Sequence, residues 1–104
     1  MISLIMYDEF GKGMGLPSMK ENFEDGPYPG KDQVLQYLKQ GKKTYVKVTI
    51  PSDVYTGKRI DMENCGMNDG VYSWLSVLIY YVEKYNLKLN EEFMQHVFNQ
   101  TNNN

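Results

Sequence analysis

A chain of 104 residues with 41% hydrophobic and 23% charged side chains has the size and composition of one globular domain, not of a disordered segment. A net charge of −2 provides no global cationic field, which disfavours nucleic-acid binding. The single cysteine, Cys65, excludes an intrachain disulfide, and no apolar run approaches the ~20 residues that cross a bilayer.

The N-terminal MISLIMYDEF becomes acidic too soon for a signal peptide, so a cytoplasmic setting is expected. Within it, residues 2–7 are rich in β-formers and predict a short strand. Residues 11–30, GKGMGLPSMKENFEDGPYPG, are dense in Gly and Pro and predict an irregular segment, with one short helical turn over 17–23. KDQVLQYLKQG (31–41) predicts a helix over 31–40 whose stripe is Val34, Leu35 and Leu38, with Gly41 as a left-handed stop. TYVKVTI (44–50) alternates, with Val46, Val48 and Ile50 on one side and Tyr45, Lys47 and Thr49 on the other, the pattern of a half-buried strand. Pro51 ends it.

Thr56-Gly57 predicts a tight turn between two β-prone pieces, the second at about 58–62. ENCGMNDG (63–70) reads as a loop closing on the Asp69-Gly70 turn. A strand over 70–74 and a helix over 75–86 follow, the helix apolar almost all round, as for a helix central to a core or shared with a partner. Asn90 is placed as the N-cap of a last helix over 91–100, with Leu89 and Met94 spaced as a hydrophobic staple. TNNN (101–104) reads as a frayed tail. Together these elements predict one α+β domain: a small, mainly antiparallel sheet of three to five short strands with about three helices on one face.

Few residues point to catalysis. Cys65 and His96 are the only cysteine and histidine, and nothing in their spacing joins them as a nucleophile–base pair. His96 is expected on the exposed side of the last helix. The ligand spacing of a zinc site or an EF-hand is missing, and GKGMG lacks the phosphate-loop pattern. Neither a catalytic residue nor a metal or cofactor site is assigned.

Recognition is better supported. Tyr28, Tyr55 and Tyr72 fall in or near turns, and Asp53, Asp61, Glu63 and Asp69 share those segments, as Glu24 and Asp25 share the 14–28 loop. Tyr is enriched at interface centres, and a carboxylate cluster suits a basic protein partner. The leading expectation is a non-enzymatic protein-binding module contacting its partner through Tyr28, Asp53, Tyr55, Asp61, Glu63, Asp69 and Tyr72. The alternatives are a small enzyme or ligand-binding domain with segment 11–30 as its lid, and a homodimer formed through the apolar 75–85 helix.

DGVYSW and LIYYVEKYNLKLNEEF, preceded by PYPGKDQVLQYLKQGK and DVYTGKRI, resemble the blocks of small, mostly uncharacterised bacterial cytosolic proteins. Those proteins carry a D-G-x-Y-x-W turn and strand followed by a Y-Y-V-E-K-Y helix, and some of this type are similar to immunity proteins, which neutralise a toxin by binding it. The resemblance covers most of residues 27–98 and assigns no functional residue.

Overall fold

Tyr72–Leu75 seats the sheet on its helices: Tyr72 and Trp74 are buried on one side, and Ser73 and Leu75 are half-buried on the other. The computed structural model describes residues 1–11 and 13–102. Its strands are β1 (Ile2–Ser3), β2 (Lys42–Lys47), β3 (Asn64–Asn68) and β4 (Tyr72–Leu75), in the order β1-β4-β3-β2. β1 runs parallel to β4, and the other two pairings are antiparallel. Helices α1 (Lys31–Lys39), α2 (Val77–Tyr85) and α3 (Glu91–Asn102) complete an α+β fold. The helix layer meets the sheet where Phe93 of α3 lies edge-on to Tyr72 at 4.9 Å and to Trp74 at 6.1 Å.

α2 lies at the centre of the core. Val77, Leu78, Ile79, Tyr81 and Val82 are all buried within this chain, so its apolar surround is used internally. Asn86 ends it in the left-handed conformation at φ 56°. Asn90 caps α3 as expected, its Oδ1 accepting from the Phe93 amide at 2.8 Å, which satisfies an otherwise orphaned donor. α3 continues through Asn102, beyond the expected end at 100; positions 103 and 104 of the anticipated tail lie outside the described residues.

Three expectations are corrected. Residues 58–62 form no strand; the chain there makes an isolated bridge between Ser52 and Arg59. The missing strand is β3, inside the stretch read as a loop. Its Asn and Gly content resembles a turn, but pairing on both sides by β2 and β4 overrides that weak local preference. Cys65 and Met67 point into the core, and the Tyr45 ring covers Gly66, occupying the space that a Cβ there would need. Gly41 does not supply a left-handed stop: its φ is not positive, and α1 ends at Gln40, right-handed at φ −90°. Gly41 instead admits Trp74, whose Cζ2 lies 2.5 Å from where a Cβ would be.

The Gly/Pro-rich segment is tied down by its second half. Met19–Asn22 forms a 3-10 turn with a capping box made by Ser18 and Glu21, matching the helical turn expected over 17–23. Beyond it the chain runs alongside the α2–α3 joint. Lys88 N donates to Asn22 O at 2.9 Å, Glu24 N to Asn86 O at 3.1 Å, and the Tyr28 hydroxyl to Leu87 O at 2.7 Å.

Candidate functional site

Three features separate from the general packing: two tyrosine–carboxylate clusters and one bare sheet edge. In the first cluster, Asp53 is buried at 1% exposure. Its Oδ2 accepts from the hydroxyls of Tyr80 at 2.7 Å and Tyr85 at 2.5 Å, and its Oδ1 from the amides of Tyr55 at 2.7 Å and Thr56 at 3.2 Å. Tyr55 passes the network on, donating to Glu9 Oε2 at 2.6 Å, where Ser18 Oγ also donates at 2.6 Å. Burial alone would raise both acids, but these hydrogen bonds hold Asp53 and Glu9 at about 2. Burial and the adjacent carboxylates raise Tyr55 and Tyr85 above the usual phenol value.

The second cluster joins α1, the β3–β4 turn and α3. Asp69 Oδ2 accepts from the Tyr37 hydroxyl at 2.5 Å and faces His96 Nε2 at 2.7 Å, while Oδ1 accepts from the Val71 and Tyr72 amides at 2.9 and 2.7 Å. Burial pushes Asp69 up, yet the hydrogen bonds from Tyr37, the two amides and His96 hold it at about 2. Burial first, then Asp69, raises Tyr37. Beside the cluster is an open depression of about 520 Å³, lined by Tyr37, Lys42, Asn68, Asp69 and Gly70 among others. General acid–base groups work best with pKa values near the operating pH. Glu9, Asp53 and Asp69 are moved down and Tyr37, Tyr55 and Tyr85 up, all away from neutrality, as suits hydrogen bonds that hold chain segments together.

The third feature is β2 and its continuation. Every residue from Lys42 to Ile50 is exposed, with Tyr45, Val46 and Ile50 substantially bare and Val48 fully so at 101%. Val46 sits opposite Cys65 in the ladder, on the side that carries the helices, but outside the area they cover. The strand expected over 44–50 is displaced to Lys42–Lys47, with bends at Val48 and Thr49, and the burial inferred from its alternation is absent. Alternation assigns side chains to two faces and cannot tell whether either is covered.

The residues expected to bind a partner are distributed unevenly. Tyr28, Asp53 and Tyr72 are buried, with Tyr72 packed against Phe93 and His96. Tyr55 and Asp69 are half-buried and bonded internally, while Asp61 and Glu63 are exposed, Glu63 pairing with Lys43 at 2.8 Å. Asp53 and Tyr55 share one turn and Asp69 and Tyr72 another; the set does not form one face. His96 is not the exposed helix residue anticipated, its side chain being held between Asp69 and the Tyr72 ring. The exposed run Tyr45, Val46, Val48 and Ile50 was missed as a surface, although its flanking lysines were a visible sign. Comparison with family models, with curated proteins and with solved structures returns no match.

Proposed function

We propose that this chain is a non-enzymatic protein-binding module whose contact surface is the bare edge of the sheet. One observation carries the reading: four large apolar side chains, Tyr45, Val46, Val48 and Ile50, stand exposed along a single edge strand and its extension. Scattered exposed apolar residues are ordinary, but four within six positions on and just past an edge strand form a local apolar cluster suited to association. The clusters around Asp53 and Asp69 fix the 53–57 turn that follows this segment and the β3–β4 turn. Immunity-type neutralisation, in which the bound module occludes a toxin or effector, is the form of this activity that the sequence resemblance supports.

The test is site-specific crosslinking in the cells that make the protein. A photoreactive residue at Val48 should yield a discrete heavier adduct containing a second protein, while the same group at exposed Gln95 on α3 should not. Equal labelling from both positions, or none from Val48, would remove the proposal.

A further inference from the structure

We infer that the β2 edge takes an extended, acidic segment of its partner as a fifth strand, an inference that rests on the protein-binding reading above. β2 ends the sheet and has β3 as its one strand neighbour. Among the described residues, no backbone hydrogen bond outside the sheet ladder involves positions 42–50. In an antiparallel edge strand, alternate N–H and C=O groups point outward, which leaves this edge with unfilled donors and acceptors. The opposite edge, β1, is a two-residue strand and offers far less. A register shift between Lys43 and Tyr45 interrupts β2 at Thr44, and the strand ends at Lys47, the chain bending at Val48 and Thr49 before it reaches Pro51. The regular stretch past the bulge is therefore residues 45–47, about 10 Å long at the rise of a β-strand, with exposed Val48, Thr49 and Ile50 following it.

Charge selects the occupant. Residues 39–59 hold six of the eleven Lys and Arg but one of the thirteen Asp and Glu, and that one, Asp53, is buried. Lys42, Lys47, Lys58 and Arg59 are exposed and make no ion pair among the described residues. On a chain of net charge −2, β2 itself thus carries two exposed lysines without an ion pair, Lys42 and Lys47, while Lys43 is neutralised by Glu63. Edge lysines commonly guard against self-association, and here they do so: antiparallel pairing of two copies about Tyr45 would set Lys43 against Lys47. The same lysines favour a strand bearing Asp or Glu. Within β2, Val46 on one face and Lys47 on the other call for alternating apolar and acidic residues, since cross-strand neighbours set pairing preference. The aliphatic row favours a peptide over nucleic acid, which would use aromatic stacking platforms.

The probes are synthetic eight-residue peptides alternating Val with Glu, or Val with Lys, and a Val/Glu peptide N-methylated at alternate residues to block strand hydrogen bonding. Binding is read from amide shifts of the isotopically labelled full chain by NMR. The Val/Glu peptide should shift amides of 45–50 and bind about tenfold tighter than Val/Lys at low salt, the gap narrowing as salt is added. N-methylation should abolish binding, and the exposed charge swap Lys42→Glu with Lys47→Glu should reverse the preference while the protein stays folded by circular dichroism. Equal binding of the Val/Glu and Val/Lys peptides, undiminished binding after N-methylation, or shifts located elsewhere would overturn strand addition. A single-stranded oligonucleotide shifting the same amides more strongly than Val/Glu would overturn the peptide assignment. If the peptides fail while the Val48 crosslink still captures a second protein, the protein-binding reading survives and the strand mode does not. Failure of both removes both.

Discussion

Tyr85 donates its hydroxyl hydrogen to Asp53 Oδ2 at 2.5 Å, across 32 positions of sequence, and so clamps the 53–57 turn to the last turn of α2. Tyr80 donates to the same oxygen at 2.7 Å. A buried carboxylate costs free energy unless it is surrounded by donors, and removing it leaves those donors unpaired. Asp53→Ala is expected to destabilise the fold by about 3 kcal/mol, whereas Tyr80→Phe, which leaves the carboxylate its other donors, should cost about 1 kcal/mol. Urea denaturation of the two variants checks the order; equal losses would mean that Asp53 does not organise the turn.

Acid should weaken the fold through the same groups. Glu9, Asp53 and Asp69 each sit at about 2, below their ordinary values of 4.5, 3.8 and 3.8. The unfolded chain therefore takes up protons before the folded one, so their contribution is complete above about pH 5 and is lost as pH falls toward 2. At the other end, burial raises Tyr28 to about 12 from 10.0, a contribution present below pH 10 and lost as pH rises through 12. Stability from urea midpoints should be level near neutrality and fall on both sides, with Asp53→Asn flattening the acid limb.

Asp69 and His96 should prove unequal partners. Asp69 accepts from two backbone amides as well as from Tyr37, so Asp69→Ala strands several donors at once and is expected to cost about 2–3 kcal/mol. His96→Gln removes one side chain from the cluster while the turn amides keep their acceptor, and should cost about 1 kcal/mol or less. Thermal melts of the two variants decide this, and a larger loss at His96 would make the histidine the organising group.

Two left-handed glycines offer a matched comparison. Gly30 has φ +87°, and a Cβ there would stand 2.6 Å from Phe98 Cζ; Gly57 has φ +74° with nothing within 4 Å. Gly57→Ala carries the backbone strain alone, about 1 kcal/mol. Gly30→Ala adds a steric clash worth about 1–3 kcal/mol more. Similar melting temperatures for the two variants would show that Phe98 yields freely.

The helices and β4 were legible because their burial follows a period that single residues reveal: Val34, Leu35 and Leu38 in α1, Tyr72 and Trp74 in β4, Phe93 and Val97 in α3. β3 was not, because a strand of Asn, Cys, Gly, Met and Asn owes its state to neighbours on both sides rather than to its own preferences. The aromatic and acidic residues of the turns were read as a contact surface because each alone resembles one. Their hydroxyl–carboxylate pairings, such as Tyr55 with Glu9 across 46 positions, join distant segments, and composition carries no record of them. β2 shows the converse: its side-chain pattern was visible, and the lack of cover over it was not.

The ties between residues 22–28 and the α2–α3 joint impose an order of assembly. Asn22, Glu24 and Tyr28 all bond to residues 86–88, so a chain emerging from the ribosome cannot fasten residues 22–28 until residues 86–88 have been made. Closure of this segment must be late because these contacts are distant in sequence. The amides of Glu24 and Lys88, which bond across this seam, should therefore exchange with solvent as a pair, opening together as one unit of the fold.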